Sequence, residues 1–256
     1  MIKKRISLFQ VPIDPLTLKE VLEKIKLYLS TPLKFTYIIS INPENIVIAQ
    51  QNPQFLALCQ KADLALTDGV GIILAAKLLG FSISERVTGS NLLPCLLDLA
   101  GRMSLRVVLI GSQANLADKI AQCYSRSYPK ATFMGIEGYK NIQSPTPEEE
   151  KQVKDIVCGI RPHFVFAAFG SPYQELWIET HRMILQESIC MGVGGGFDYL
   201  SGASQKPPHF IQALGLEWFY RLMRQPWRTK RQFLRLPLFI GMVLKQWIGG
   251  YNASTP

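Results

Sequence analysis

The stretch LRVVLIGSQANLADKIAQCYSRSY, residues 105–128, decides the fold of this chain. Its first seven residues, Leu105–Gly111, form a continuous apolar run that ends in glycine. Such a run is typical of a parallel strand that is covered on both faces. The segment Ala114–Tyr128 then carries apolar side chains at helical spacing, which predicts a helix directly after the strand.

The same pattern recurs along most of the chain. Buried strands are predicted for four further runs: FTYIISI (Phe35–Ile41), DLALTDG (Asp63–Gly69), HFVFAAFG (His163–Gly170) and SICMGVGGG (Ser188–Gly196). Helices are predicted over Leu16–Ser30, Thr146–Gly159 and Pro172–Leu185. Strands that alternate with helices form right-handed β-α-β units. The sequence therefore predicts an α/β fold with a Rossmann-like, mainly parallel sheet flanked by helices.

The chain changes character after Gly202. The segment SQKPPHF reads as a loop, and residues 218–256 contain seven Arg or Lys and no Asp or Glu. These residues therefore carry +7 of the net charge of +9. We predict a core over residues 1–202 and a basic, aromatic-rich helical appendage over residues 203–256. Such a concentration of charge indicates an anionic partner, which is a phosphate, a nucleic acid or a membrane surface.

The composition limits the class of protein. A hydrophobic fraction of 48% and a charged fraction of 18% describe a globular chain, and 256 residues suffice for a sizeable core. The five cysteines are scattered without a C-x-x-C pair, which favours reduced thiols over a disulfide framework or a zinc site. No apolar run is long enough for a signal peptide or a transmembrane helix, so neither is expected.

Polar residues follow two of the predicted strands, at the edge where such sheets bind ligands. Asp68, in T-D-G-V-G, is placed to act as a general base, or alternatively to cap the next helix. Ser40 and Asn42 lie on one face of a strand and either contact the ligand or serve in a helix cap. Arg86, in S-E-R-V-T-G, either binds phosphate or pairs with an acid such as Glu85.

Three other predicted strands also end in candidate ligand-binding turns. At Gly111 a strand passes into a helix whose N–H groups can hold a diphosphate, although a plain tight turn also fits. Gly194 and Gly195 belong to G-V-G-G-G-F-D, where consecutive glycines allow a ligand to approach the backbone. Gln174 and Glu175 fall in the first turn of a predicted helix, where Glu175 can also compensate the helix dipole.

Metal chemistry is not predicted. The three histidines, His163, His181 and His209, lack ligand spacing, and no D-x-D motif is present to bridge a cation and a nucleotide diphosphate. We therefore assign no metal ligand and no cofactor. A diphosphate that leaves during a reaction must then be stabilised by cationic side chains or helix N-termini. The arginine-rich appendage is the obvious source of such cations.

Nine short motifs together resemble the WecG/TagA/CpsF family, glycosyltransferase family twenty-six. They are N-P-E (42–44), A-D-L-A-L-T-D-G-V-G (62–71), E-R-V-T-G (85–89), V-V-L-I-G (107–111), Y-P (128–129), G-Y (138–139), G-S-P-x-Q-E-x-W (170–177), G-V-G-G-G-F-D (192–198) and G-L-E-W-x-x-R-L (215–222). Most are weak alone, but their occurrence in family order over about residues 36–235 is specific.

The resemblance implies an activity. Family members are inverting, metal-independent transferases that move N-acetylmannosamine, or its uronic acid, from UDP to N-acetylglucosaminyl-diphospho-undecaprenol. Their products feed wall teichoic acid, enterobacterial common antigen or capsule. The catalytic aspartate of the family falls on Asp68. The pocket residues fall on Ser40, Asn42, Arg86 and Gln174, and the appendage arginines that close over the diphosphate fall on Arg221, Arg228 and Arg231.

The appendage carries further expectations. Its aromatic and cationic side chains suit an anionic bilayer surface, so we expect a cytoplasmic enzyme that is peripheral on the inner face of the plasma membrane. In some family members the appendage competes with self-association, which leaves a homo-oligomer open. One departure is the loop after Gly202, which often reads R-A-P in relatives and is Lys206-Pro207-Pro208 here. A cation is kept, but sugar specificity can differ.

Two other classes stay open beside a UDP-sugar-dependent hexosyltransferase. One is a nucleic-acid-binding protein that uses the basic appendage, although no recognised binding motif is present. The other is a nucleotide-dependent oxidoreductase on the same sheet, although G-x-G-x-x-G is missing. The hypothesis carried forward has a UDP-sugar, a polyprenyl-diphosphate-linked sugar and an anionic membrane surface as partners, and no nucleic acid.

Overall fold

A computed structural model describes residues 4–111, 115–204, 208, 211, 220 and 229–249, without the side chains of residues 229–233. The strands in these ranges are β1 (Ile6–Leu8), β2 (Val11–Ile13), β3 (Thr36–Ile41), β4 (Leu64–Thr67), β5 (Arg106–Gly111), β6 (Thr132–Ile136), β7 (Phe164–Ala168) and β8 (Ile189–Gly192). The helices are α1 (Leu18–Ser30), α2 (Pro43–Gln51), α3 (Pro53–Lys61), α4 (Val70–Leu78), α5 (Gly89–Arg102), α6 (Leu116–Ser127), α7 (Pro147–Ile160), α8 (Tyr173–Thr180), α9 (Gly196–Leu200) and α10 (Thr229–Ile248).

The main sheet has six strands in the order β4-β3-β8-β7-β5-β6, and every neighbouring pair is parallel. The predicted α/β fold with a parallel sheet between helices is confirmed. All five predicted strands are present in this sheet as β3, β4, β5, β7 and β8. Strand β6 at one edge was not predicted.

Helices cover both faces of this sheet, because successive residues of a strand point to opposite sides. Tyr37, Ile39 and Ile41 of β3 belong to a core cluster with residues of α2, α3, α4, α7, α8 and α10. Ile38 belongs to a second cluster with residues of α1, α5, α6 and α9. Burial on both faces explains why these strands read as continuous apolar runs.

Capping residues fix where several helices begin. Thr17 and Glu20 form a capping box at α1, and Thr146 and Glu149 form another at α7. Three acidic residues, Glu148–Glu150, follow Pro147 in the first turn of α7. These side chains bond to backbone N–H groups that have no partner within the helix.

The outer edge of β4 is closed by residues near the N-terminus. The backbone N–H of Asp14 donates to the carbonyl of Ala65 at 2.8 Å, and the N–H of Ala65 donates to Asp14 Oδ2 at 2.8 Å. Arg5 holds the same carboxylate with two hydrogen bonds and donates to the carbonyls of Ala62 and Asp63. Much of the hydrogen-bonding capacity of this edge is therefore used within the chain.

Two predicted boundaries are wrong. Helix α8 ends at Thr180, whereas the prediction continued to Leu185. Leu185 is buried in the turns that follow α8. An apolar residue at helical spacing therefore occurs beyond the end of the helix. Within the run Ser188–Gly196, the strand ends at Gly192, and Gly196 is already the first residue of α9.

Candidate active site

Asp68 directly follows β4 at the carboxyl edge of the sheet. Its backbone N–H donates to the carbonyl of Ile41 at 2.8 Å, which continues the pairing with β3. Its side chain does not cap α4, since the N-cap residue is Gly69 and no side-chain cap hydrogen bond is present there among the described residues. Oδ2 of Asp68 instead accepts a hydrogen bond of 3.4 Å from the backbone N–H of Gly89. The capping interpretation of Asp68 is therefore wrong.

The position of this carboxylate favours its ionised form. Gly89 is the first residue of α5, a helix of 14 residues, so the partly exposed Asp68 lies at the positive end of a helix. N–H groups and the dipole at such an end stabilise negative charge. A general base must be ionised to accept a proton, and the geometry around Asp68 supports that state.

Ser40 lies beside the same helix end. A Cβ added to Gly89 would lie 3.3 Å from Ser40 Oγ, so the serine and the start of α5 are in contact. The register pairs Ser40 with Leu66, two residues before Asp68, so both side chains project from one face of the sheet. Ser40 Oγ is buried without a hydrogen-bond partner in the described part of the chain. Its hydrogen-bonding capacity is therefore unused within that part of the chain.

Asn42 is the N-cap residue of α2. Its Oδ1 accepts from the N–H of Asn45 at 2.9 Å, and its own N–H donates back to Asn45 Oδ1 at 3.2 Å. The capping interpretation is confirmed, but the cap uses only the carbonyl oxygen of the Asn42 amide. Next to it, the Pro43 ring would lie 2.8 Å from a Cβ added at Gly71. The turns that carry Asn42 and Asp68 therefore pack directly against each other.

Arg86 lies in the loop that enters α5, three residues before the N–H that Asp68 accepts, and it is partly buried. The loop is held on both sides of it. Glu85 Oε2 accepts from the N–H of Leu18 at 3.2 Å, and Thr88 accepts from the N–H of Asn91 at 3.2 Å. This anchoring fixes the backbone from which the arginine extends.

Gln174 joins the turns that follow β7 and β8. Its Oε1 accepts from the N–H of Gly170 at 3.1 Å and from the N–H of Gly194 at 3.0 Å. We call these two bonds the Gln174 bridge. Its Nε2 donates to Glu175 Oε1 at 2.8 Å, and the side chain is almost fully buried. The structure thus brings Gln174 and Gly194 together, with the glutamine amide bound to the protein itself.

Gly111, where the sequence predicts a diphosphate contact, is the last residue of β5. An added Cβ would lie 2.7 Å from the Phe169 ring, so close packing accounts for the glycine. Beyond β5 and β6 lies a cavity of about 670 Å³, lined among others by Asp118, Glu137, Lys140 and Glu149. We call it the acidic cavity. Three carboxylates against one ammonium group disfavour a diphosphate there.

Helix α10 packs over the Asp68 end of the sheet. Phe239 and Val243 are buried in the core, and the Phe239 ring would lie 3.8 Å from a Cβ added at Gly71. Arg235 forms an ion pair with Glu44, the third residue of the N-P-E motif. The C-terminal helix therefore rests on the two turns that present Asn42 and Asp68.

Comparison with known proteins decides the family. The family model described as "Glycosyl transferase WecG/TagA/CpsF family" matches residues 6–253. The chain belongs to this family of glycosyltransferases. A WecG/TagA/CpsF relative from Bacillus spizizenii is 32% identical over 213 residues, which cover 83% of this chain and 80% of the relative. One from Staphylococcus aureus is 26% identical over 242 residues, 94% of this chain and 92% of the relative. Both are named N-acetylglucosaminyldiphosphoundecaprenol N-acetyl-beta-D-mannosaminyltransferase.

Membership of the WecG/TagA/CpsF family decides against the nucleic-acid-binding and oxidoreductase interpretations. Two predicted phosphate contacts of the family, Arg221 and Arg228, lie outside the described residues. Arg231 lies in α10, but its side chain is also outside them. Among the described helices, none combines the length and apolar character needed to cross a bilayer.

Sequence reasoning missed two contacts of this WecG/TagA/CpsF site. The motif E-R-V-T-G does not indicate that its last residue, Gly89, supplies an N–H to Asp68. Thr88, three residues before Asn91, is an N-cap signal that could have located the helix start and its free N–H groups. The ion pair of Glu44 with Arg235 spans 191 residues, and no local pattern indicates it.

Proposed function

We propose that this chain transfers N-acetylmannosamine, or a closely related sugar, from UDP to an N-acetylglucosamine carried by a polyprenyl diphosphate. The position of Asp68 carries the proposal, because its carboxylate lies at the ligand-binding edge, does not cap the following helix α4, and accepts an N–H at the start of α5. The names of the relatives supply the sugar and the acceptor. The family resemblance supplies UDP, inversion and independence of metal.

Asp68 acts as the general base of this reaction. Its carboxylate takes the proton of an acceptor hydroxyl while that oxygen attacks the anomeric carbon of the donor. The bond from this carbon to the UDP oxygen breaks, UDP leaves with the electron pair, and the configuration inverts. General base action of this kind contributes about 10²–10⁴-fold in rate.

Neighbouring groups bind and orient the two substrates. Ser40 and the amide N–H groups of Asn42, which are not used in the cap of α2, orient the sugars, and Gln174 contributes by fixing the turn at Gly194. The backbone at Gly194 and Gly195 allows the donor to approach. Negative charge on the leaving diphosphate is neutralised by Arg86, Arg221, Arg228 and Arg231.

A panel of UDP-sugars with a synthetic polyprenyl-diphosphate-N-acetylglucosamine acceptor tests the activity, with the product scored by mass spectrometry. We expect UDP-N-acetylmannosamine or a close analogue to give the acceptor mass plus one sugar residue, in buffer that contains EDTA. Absence of product with every donor, from protein that is folded and binds vesicles, would reject the transferase assignment for these substrates.

We further propose that residues 203–256 form a basic appendage that brings the enzyme to the inner face of the plasma membrane. Several apolar side chains of α10 are exposed: Leu234, Leu238, Ile240, Leu244, Trp247 and Ile248. Phe239 and Val243 face the core instead, so the helix has a buried side and an apolar outer side. Such a side next to basic residues suits an anionic lipid surface, where the acceptor lipid resides.

Vesicle sedimentation tests this surface with matched variants. We expect Leu238→Ser/Trp247→Ser to lower binding to phosphatidylglycerol-containing vesicles at least fivefold, because the outer side of α10 loses apolar area. Leu27→Ser/Met183→Ser removes exposed apolar side chains elsewhere and should bind like the wild type. Equal loss in both variants, or in neither, would contradict α10 as the membrane contact.

A further inference from the structure

Glu175 is a buried acid that the proposed mechanism does not use. Only 2% of its surface is exposed, although it lies in the first turn of α8. Its Oε1 accepts from Ser171 Oγ at 2.7 Å and from Gln174 Nε2 at 2.8 Å. Its Oε2 has no hydrogen-bond partner in the described part of the chain. Compensation of the helix dipole does not require such burial, so another role is indicated.

The hydrogen-bond chemistry around Gln174 permits a single orientation of its amide. Backbone N–H groups only donate, so the atom that faces Gly170 and Gly194 must be the oxygen. Glu175 Oε1 receives the opposite end of the amide, which must therefore be the NH₂ group. Glu175 supplies the acceptor that completes this arrangement.

The packing leaves the amide little room to adopt another arrangement. A Cβ added at Gly192 would lie 2.4 Å from Gln174 Nε2, so the glutamine side chain lies directly on the backbone of β8. Gly194, two residues later, has a φ of +48° and, as a glycine, no side chain of its own that could fix this conformation. The conformation of the triple-glycine turn therefore depends on the Gln174 bridge.

We propose that Glu175 is a positioning residue for donor binding, because its Oε1 fixes the Gln174 amide and thereby the turns at Gly170 and Gly194. This inference rests on the proposed function, in which those turns border the path of the UDP-sugar. Burial raises the pKa of Glu175, and no cation is paired with it among the described residues, which is consistent with a role as hydrogen-bond acceptor rather than as charge.

Two substitutions test the hydrogen-bond acceptor of Glu175 separately from its negative charge. Glu175→Gln keeps an oxygen at the position of Oε1, so donor KM and kcat should stay within about threefold of the wild type. Glu175→Met has a similar length and no acceptor, so the donor KM should rise at least tenfold while kcat changes less. A rise confined to KM is expected when ground-state and transition-state binding are lost together.

A control and a double variant test whether Glu175 acts through Gln174. Glu179→Met lies one turn further along α8, where its partners are Lys61 and Arg182 at the surface, and it should leave the donor KM unchanged. In a Gln174→Met background, Glu175→Met should add less than twofold, since the bridge is already absent. An undiminished effect of Glu175→Met in that background would overturn the proposal.

Amide hydrogen exchange measures the bridge without any substrate. In the wild type, the N–H groups of Gly170 and Gly194 should exchange at least 100-fold more slowly than in an unstructured chain. Glu175→Met should accelerate both, whereas Glu175→Gln should not. Rapid exchange at Gly194 in the wild type, or a donor KM as high in Glu175→Gln as in Glu175→Met, would overturn the role. If instead the proposed activity is wrong, the wild type will show no turnover although the N–H groups of Gly170 and Gly194 remain protected from exchange.

Discussion

The two ends of the carboxyl edge differ in how their acidic side chains are used. At β4, one carboxylate, Asp68, faces the start of a helix next to a serine hydroxyl. At β5 and β6, four and five strand spacings away, or roughly 19–24 Å, three carboxylates line the acidic cavity. Glu149 there caps α7, and Glu137 accepts from the N–H of Asn115. The base proposed above therefore lies at the end that has a single carboxylate beside a serine hydroxyl, and not at the end that has the cavity and the larger number of acids.

The largest expected effect separates these two ends directly. Asp68→Asn should lower kcat by about 10²–10⁴-fold, because the amide cannot accept the proton of the acceptor hydroxyl. Glu137→Gln in the acidic cavity should leave kcat within about twofold. Steady-state rates with the lipid-linked acceptor measure both. Near-normal turnover by a folded Asp68→Asn enzyme would eliminate Asp68 as the base.

A pair of glycine substitutions sharpens the contrast between packing and chemistry. At Gly135 in β6 an added Cβ would lie 2.2 Å from the backbone of Ala117, so Gly135→Ala should lower the free energy of unfolding by about 1–3 kcal/mol. At Gly89 the added methyl group would meet Ser40 Oγ at 3.3 Å, so Gly89→Ala should alter activity more than stability.

Urea unfolding and steady-state kinetics, applied to both variants, check the pair. Gly159→Ala serves as a control for the added methyl group, because nothing lies within 4 Å of that site and alanine favours a helix. The contrast fails if Gly89→Ala loses as much stability as Gly135→Ala, or if its kcat equals that of the wild type.

A smaller effect is expected where α10 rests on the Asp68 end. Glu44→Gln and Arg235→Gln each remove one side of a partly buried ion pair, so each should raise the KM of the lipid-linked acceptor about threefold. The double variant should resemble the singles, because the two side chains act as one pair. Additive losses would mean that the two residues act separately. Lys151→Gln, which breaks a surface pair on α7, is a suitable control.

The smallest effect concerns the region behind the acidic cavity. Burial opposes ionisation of Glu150, but hydrogen bonds from Tyr139 and His181 outweigh it and lower the pKa of Glu150 below its usual value. A lowered pKa stabilises the fold above the unfolded value of about 4.5, and this stabilisation is lost as pH falls through the folded pKa. Between pH 7 and pH 4, the free energy of unfolding should fall less in Glu150→Gln than in the wild type.

An equal loss for Glu150→Gln and the wild type would show that other acids dominate the pH dependence. Activity at neutral pH should hardly change in this variant, because Glu150 lies away from Asp68. The pH dependence thus tests whether the far end of the sheet is structural.

Strands buried on both faces were the most predictable part of the fold. β5 and β7 are continuous apolar runs, because helices cover them on both sides. β6 was not predicted, because it is an edge strand of five residues with exposed Thr132 and Met134 and a glycine. β1 and β2 have three residues each, which is too short for a reliable period.

The position of the candidate site residues at the ligand-binding edge was easier to predict than their contacts. An Asp-Gly pair after a strand is compatible with a helix cap and with a general base. The N–H group that Asp68 accepts belongs to Gly89, 21 residues away, and no local pattern indicates this contact. The burial of Glu175 was also hidden, since an acid in a first helical turn is normally exposed. Glu175 is buried here because α8 packs on β8, where Gly192 has no side chain that would keep the helix away from the strand.

The strand that presents Asp68, β4, is also one of the two edge strands of the main sheet. Its free side is occupied by Asp14 and by Arg5, which reaches past the strand to two carbonyl groups. A chain shortened to begin after residue 15 would leave this strand with a row of unpaired donors and acceptors. Pairing between copies through β4 would then compete with folding, so self-assembly into insoluble material would accompany the loss of those few residues.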